Sequence, residues 1–265
     1  MEYAYIIAGF AVSFIVGMTG VGGGSLMTPL LLWMGVTPAT AVGTDLLYAA
    51  ITKSSGVVAH QRNRNIDWRI TGWLALGSVP AAAITVVTLH FLHADTKFVN
   101  LIIKLSLGIA LLLTAAALVF KKALLALAQR HAADWLNLPQ RKLNAATCVV
   151  GVVLGVIVTL SSIGAGALGT LALFLLYPLL QTNRLVGTEI AHAVPLTLVA
   201  GLGHAGLGNI DWVLLGTLLI GSIPGIYLGS QLTGRIPDKV LRPALATMLV
   251  VVGVTLVKPA FAALL

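Results

Sequence analysis

The sequence predicts an all-α polytopic membrane protein made of two inverted repeats, and three observations carry that prediction. Of 265 residues, 58% are hydrophobic and only 9% are charged, whereas a soluble domain carries about 25% charged residues. The mean hydropathy is +1.00. A glycine stretch, Thr19-Gly20-Val21-Gly22-Gly23-Gly24-Ser25, interrupts the apolar run from Ile6 to Met34. The pattern of the first half then returns 144 positions later.

Composition excludes several classes of function. The net charge of +8 comes from basic residues scattered in loops between apolar spans, so it signals membrane orientation, not nucleic-acid binding. Cys148 is alone, which rules out a disulfide framework or a thiolate metal cluster. No phosphate-binding G-x-x-x-x-G-K-[ST] loop occurs, and no residue pattern calls for a cofactor or metal. Met1-Glu2-Tyr3 lacks the basic region of a signal peptide, so the first apolar run is read as part of the mature protein.

Taken in order, the first segment is too long for one crossing. The 29 residues from Ile6 to Met34 would make a helix of about 44 Å, against a hydrocarbon core of about 30 Å. Glycines in a row also cost a helix interior about 1 kcal/mol each. Residues 4–34 are therefore expected to form a hairpin of two half-helices tipped by glycine backbone. Unwound backbone at membrane depth survives only where it is buried in protein or lines a polar cavity. Full spans follow at 39–60, 66–92 and 98–120, completing repeat 1 over residues 1–120. Residues 121–142 mix Lys121, Lys122, Arg130, Arg141 and Lys142 with apolar residues, as a basic linker along the membrane surface would. Repeat 2, residues 143–265, is expected to hold a hairpin at 143–180 and spans at 183–204, 211–233 and 238–257.

The repeat is legible residue by residue. Gly43-Thr44-Asp45 answers Gly187-Thr188-Glu189, and Asn65-Ile66-Asp67-Trp68 answers Asn209-Ile210-Asp211-Trp212. Gly77-Ser78-Val79-Pro80 answers Gly221-Ser222-Ile223-Pro224, and His60 answers His204. Corresponding loops carry opposite charge bias. Arg62, Arg64 and Arg69 flank the first loop, while its copy from Ala205 to Asp211 has no Lys or Arg. Lys97 stands alone in the next loop, whose copy carries Arg235, Lys239 and Arg242. Basic loops stay on the inner side, so the repeats are inverted, with the linker inside and both termini outside. The count is about ten helical segments if each glycine segment is a hairpin. A single bent crossing per repeat would instead give eight spans and parallel repeats.

Two half-helices aimed at one midplane point make an anion site, because each N-terminus offers unpaired N–H groups and part of a positive charge. The residues assigned to substrate are Thr19, Gly20, Gly22, Gly23, Gly24, Ser25 and Thr44 in the first repeat. Ser161, Ser162, Gly164, Gly166 and Thr188 are their counterparts in the second. The alternative is that the glycines only permit close helix packing. Ionisable residues inside spans are costly and mark function. Asp45 and Glu189, with His192 three residues on, form a candidate proton-coupling or gating set. Lys53 joins it, as an anion contact or a partner for Asp45. The competing reading has both acids near the interface, binding helix N-termini or water.

These residues resemble a known family. Gly17-Met18-Thr19-Gly20-Val21-Gly22-Gly23-Gly24, Pro29-Leu30-Leu31, Ala41-Val42-Gly43-Thr44, Gly164-Ala165-Gly166, Gly187-Thr188, Asn209-Ile210-Asp211-Trp212 and Gly229 are similar to the signature of the sulfite exporter TauE/SafE family. The resemblance covers nearly the whole chain. It implies a multi-pass permease of the bacterial inner membrane that moves sulfite or organosulfonates without an ATPase. Two features depart from the family pattern: the second glycine stretch is poorer in glycine, and Asp45 and Glu189 stand where a small polar residue is common.

The expected function is thus a secondary transporter, an exporter, of small sulfur-containing anions, with proton coupling suggested by the buried acids. Its halves would rock about the midplane site. An anion channel remains open as an alternative, as does an intramembrane serine hydrolase using Ser25 with His192 or His204. The partners implied are a small anionic substrate and the lipid bilayer, and a homo-oligomer is compatible with the composition.

Overall fold

A computed structural model describes residues 2–19, 24–92, 96–130, 139–231 and 238–262. Among them are eleven helices and no strand. In the first repeat these are α1 (Glu2–Thr19), α2 (Gly24–Trp33), α3 (Pro38–Arg62), α4 (Trp68–Leu92) and α5 (Thr96–Val119). A short α6 (Lys121–Arg130) precedes α7 (Gln140–Ser161), α8 (Ala167–Leu176), α9 (Thr182–Gly206), α10 (Trp212–Gln231) and α11 (Asp238–Ala262).

The helices Trp68–Leu92, Asn100–Val119, Gln140–Ser161 and Thr182–Gly206 are long and apolar enough to cross a membrane. Leu76, Ile84, Val149, Val153, Ile220 and Ile223 point outward, exposed as side chains facing lipid would be. The chain is a multi-pass membrane protein. Helix α3 has the length to span, 25 residues, or about 37 Å, but Asp45, Lys53 and its basic end reduce its apolarity. The linker differs from its expected bounds. Lys121–Arg130 is helical, residues 131–138 lie outside the described segments, and 140–142 already form the first turn of α7.

The second glycine segment is a hairpin. α7 ends at Ser161, Ser162 adopts a left-handed conformation at φ 56°, and α8 runs back for ten residues. The Tyr177 hydroxyl at its end lies 2.7 Å from Thr147 Oγ1, in the second turn of α7. The segment therefore returns toward the level from which it started.

Equivalent helices of the two repeats run antiparallel. A Cβ on Gly43 would touch His204, and one on Gly201 would touch Leu47. Gly56 likewise faces Ile190, and Gly187 faces His60. These α3–α9 contacts descend one helix as they climb the other, and they centre close to Ile51 and Lys53 on α3. The close pair Gly108–Gly253 joins α5 to α11.

The repeats also interleave. Gly77 of α4 sits on the backbone of Cys148 and Val152 in α7, and Gly221 of α10 sits on that of Ile6 and Phe10 in α1. Each repeat's first helix thus packs along the other repeat's third long helix. Each of these two contacts therefore joins helices of different sequence halves. One apolar core, from Val12 and Leu31 through Leu107 and Val158 to Leu196 and Leu249, spans both repeats.

Candidate functional site

The site is built where α3 and α9 cross and the second hairpin tip reaches them. Asp45, Glu189 and His192 are buried, and Lys53 is 9% exposed. All four belong to α3 or α9, the antiparallel central pair.

Asp45 links the two repeats. Thr28 Oγ1 of α2 donates to its Oδ2, and Ser162 of the second tip lies against the same carboxylate. Asp45 Oδ1 and Ser162 Oγ are buried with no hydrogen-bond partner among the described residues. The acid therefore sits beside a half-helix and is buried inside the protein.

Lys53 crosses from α3 to the second repeat. Its ammonium donates to the Ala165 carbonyl in the hairpin tip and stands 4.0 Å from Glu189 Oε1. Lys53 is expected to be an anion contact or a partner for Asp45; among the described residues the acid within 4.0 Å of it is Glu189, of the other repeat. The antiparallel crossing puts residue 53 of α3 opposite the stretch of α9 just beyond Glu189. Glu189 also packs on the first turn of α8, where a Cβ on Gly169 would lie 3.2 Å from Oε1. His192 Nε2 lies 2.8 Å from Ser78 Oγ of α4, while its Nδ1 has no partner among the described residues.

The tip itself is held by its own backbone. Ser161 Oγ donates to the Ile157 carbonyl at 2.6 Å and accepts the Ile163 N–H at 3.1 Å. The Gly164 carbonyl accepts the N–H groups of Gly166 and Gly169. Among the described residues no bond takes the Ala167 and Leu168 N–H groups, which point out of the start of α8. Gly166, Ala167 and Thr170 line a cavity of about 310 Å³. His60, Lys121, Phe174, Asn183 and Glu189 share its wall. The Lys121 ammonium lies 5.8 Å from the centre of the Phe174 ring.

Two residues assigned to substrate also bond across the repeats. Thr188 Oγ1 accepts the Asp67 N–H at 2.9 Å, and Thr44 Oγ1 accepts the Asp211 N–H at 3.2 Å. Asp67 and Asp211 in turn cap the first turns of α4 and α10 through their carboxylates. Thr44 and Thr188 thus join the repeats, because their hydroxyls meet orphan N–H groups of the neighbouring repeat. Gly20, Gly22 and Gly23 lie outside the described residues, as do the side chains of Thr19 and Ser25; Gly24 opens α2.

Sequence reasoning missed Thr28, Ser78, His60 and Lys121. Ser78 and His60 both belong to duplicated motifs, which was the available signal, while nothing in the sequence distinguishes Thr28. The two histidines offered to a hydrolase are engaged elsewhere: His192 with Ser78, and His204 with the Thr159 carbonyl at 2.9 Å.

Residues 5–256 match the family described as sulfite exporter TauE/SafE. The chain is 38% identical over 257 residues to the probable membrane transporter protein YjnA of Bacillus subtilis (strain 168), covering 97% of this chain and 100% of that one. It is 28% identical over 226 residues to the probable membrane transporter protein YdhB of the same organism, covering 81% and 83%. No solved structure matches the chain.

Proposed function

Since the chain belongs to the sulfite exporter TauE/SafE family, we propose that it is a secondary transporter exporting small sulfur-containing anions, such as sulfite or organosulfonates, from the bacterial cytoplasm across the inner membrane. The observation that carries this reading is the cavity that ends on the first turn of α8, with Lys121 and His60 on its wall. A helix start with free N–H groups favours an anion without needing a fixed lysine. Repeat 1 (1–120) and repeat 2 (143–265) would supply one hairpin each, and the linker and cavity mouth would face the cytoplasm. The interleaved helices favour moving bodies drawn from both repeats: α1 with α10, and α4 with α7. Alternating access would then turn these pairs about the α3–α9 crossing.

The test is flux in proteoliposomes containing the full chain. Labelled sulfite and sulfoacetate should enter with saturable kinetics and show accelerated exchange against internal substrate, which a channel does not show. Thr170→Trp, which fills the cavity, should abolish uptake while the protein still elutes as a monodisperse species. Unchanged uptake in that variant would remove the cavity from the path.

A further inference from the structure

We propose that Lys53 is the fixed cation that receives the transported anion, and that Glu189 is its resident counter-ion, which the anion displaces and which then takes up one proton. This deepens the transporter reading and rests on it.

Lys53 breaks the repeat. Among the described residues the other buried charges occur in equivalent positions, Asp45 with Glu189, but the equivalent of Lys53 is Thr197, a buried hydroxyl. A lone ammonium near the centre of the α3–α9 crossing is costly unless it is used. Its separation from Glu189 is 4.0 Å, longer than the hydrogen bonds of about 2.7–3.2 Å that nitrogen and oxygen form. The two are Coulombic neighbours and not a closed pair. Glu189 Oε1 has no hydrogen-bond partner among the described residues, and Lys53 spends its one recorded bond on Ala165, next to Gly166 in the cavity wall. Glu189 itself lines that cavity. The residues thus hold unused bonding capacity beside a space that accommodates a small oxyanion.

Charge balance then requires the proton. With Asp45, Glu189 and Lys53 ionised, the buried set carries one net negative charge. An anion placed on Lys53 would put two like charges within a few ångströms in a low-dielectric interior, where one of them must be neutralised. Glu189 is the acid beside the water-accessible cavity. The proton comes from water there and ends on the Glu189 carboxylate, with no bond to the anion made or broken.

The groups around Glu189 are compatible with this. From α3 it meets Lys53 and, across the cavity, His60; Lys121 of α6 lies on the same cavity wall. On its own helix His192 is tied to Ser78 of α4, and Arg184 is paired with Asp67, just before α4, at 3.1 Å. From α8 it meets Gly169, which carries no charge. α7 touches α9 through the Thr159 carbonyl, bonded to His204.

The experiment uses proteoliposomes with an internal pH dye, and methanesulfonate and sulfoacetate as probes that carry no sulfite-like proton of their own. Wild type should move one proton with each anion molecule, methanesulfonate or sulfoacetate. Glu189→Gln should lose the dye response for each anion moved. Lys53→Met should weaken anion binding by more than about tenfold. The double variant Lys53→Met/Glu189→Gln removes the two opposite charges together, so it should fold like wild type and still fail to bind. Proton movement that persists in Glu189→Gln, or unchanged anion affinity in the folded double variant, would overturn the proposal while leaving anion transport standing. Absence of flux for sulfite and both probes in wild type would instead overturn the transporter reading itself.

Discussion

The Asp67 N–H donates to Thr188 Oγ1 at 2.9 Å, so the first residue before α4 is bonded to a buried hydroxyl of the opposite repeat. The duplicated bond from Asp211 to Thr44 spans 3.2 Å. Because both hydroxyls are spent on backbone N–H groups, Thr188→Val or Thr44→Val should destabilise the protein by about 1 kcal/mol each. Thermal unfolding in detergent reads this as a lowered midpoint, with KM for the anion unchanged. A raised KM at an unchanged midpoint would return these threonines to the substrate site.

Arg64 and Gly208 occupy the same place in the two repeats, just past the ends of α3 and α9. Both are left-handed, at φ 54° and φ 75°, and the following N–H, of Asn65 or Asn209, closes the same bond to His60 or His204 at 2.9 Å. Glycine adopts this conformation freely, whereas a side chain costs about 1–2 kcal/mol. Arg64→Gly should therefore raise the unfolding midpoint, and Gly208→Arg should lower it. Arginine is retained at the strained position where the positive-inside rule places the cytoplasm. Arg64→Cys and Asn209→Cys should accordingly react with impermeant thiol reagents from opposite faces of the membrane; labelling from one face would exclude inverted repeats.

Gly77 and Gly221 allow the α4–α7 and α10–α1 contacts to close onto backbone. A side chain at either position would meet a carbonyl oxygen, of Cys148 or Ile6, and a carbonyl in a helix has little room to yield. Gly77→Val and Gly221→Val should each cost about 1–3 kcal/mol or more through overpacking, seen as loss of monodisperse protein on size-exclusion chromatography.

His204 is fully buried and holds the Thr159 carbonyl at 2.9 Å and the Asn209 amide at 3.3 Å. His204→Leu should leave those groups unpaired and destabilise by about 1–3 kcal/mol, without altering the pH dependence of transport. A shifted pH profile with intact stability would show that this histidine carries protons.

Much of the architecture was legible because membrane burial simplifies the code. Apolar length marks the spans, and the 144-residue offset exposes the duplication that pairs Asp45 with Glu189 and Asn65 with Asn209. The site was legible only in part. Asp45, Lys53, Glu189 and His192 stood out because charge inside an apolar helix is rare. Thr28 and Ser78 did not, since a hydroxyl in a membrane helix bonds its own backbone as readily as a distant group. The bonds made by Thr44 and Thr188 were not legible for the same reason. They sit beside the acids in sequence, yet their hydroxyls point across to the other repeat.

The sequence by itself determined an all-helical, duplicated membrane protein with glycine-broken segments and a few buried charges, because hydrophobic length, glycine content and loop charge are local properties of the chain. Only the tertiary structure decided that Lys53 answers to Glu189 and that the repeats interleave through α1–α10 and α4–α7. Both depend on the antiparallel crossing of α3 and α9, which brings residues of distant sequence to one depth. No local pattern along the chain carries that register.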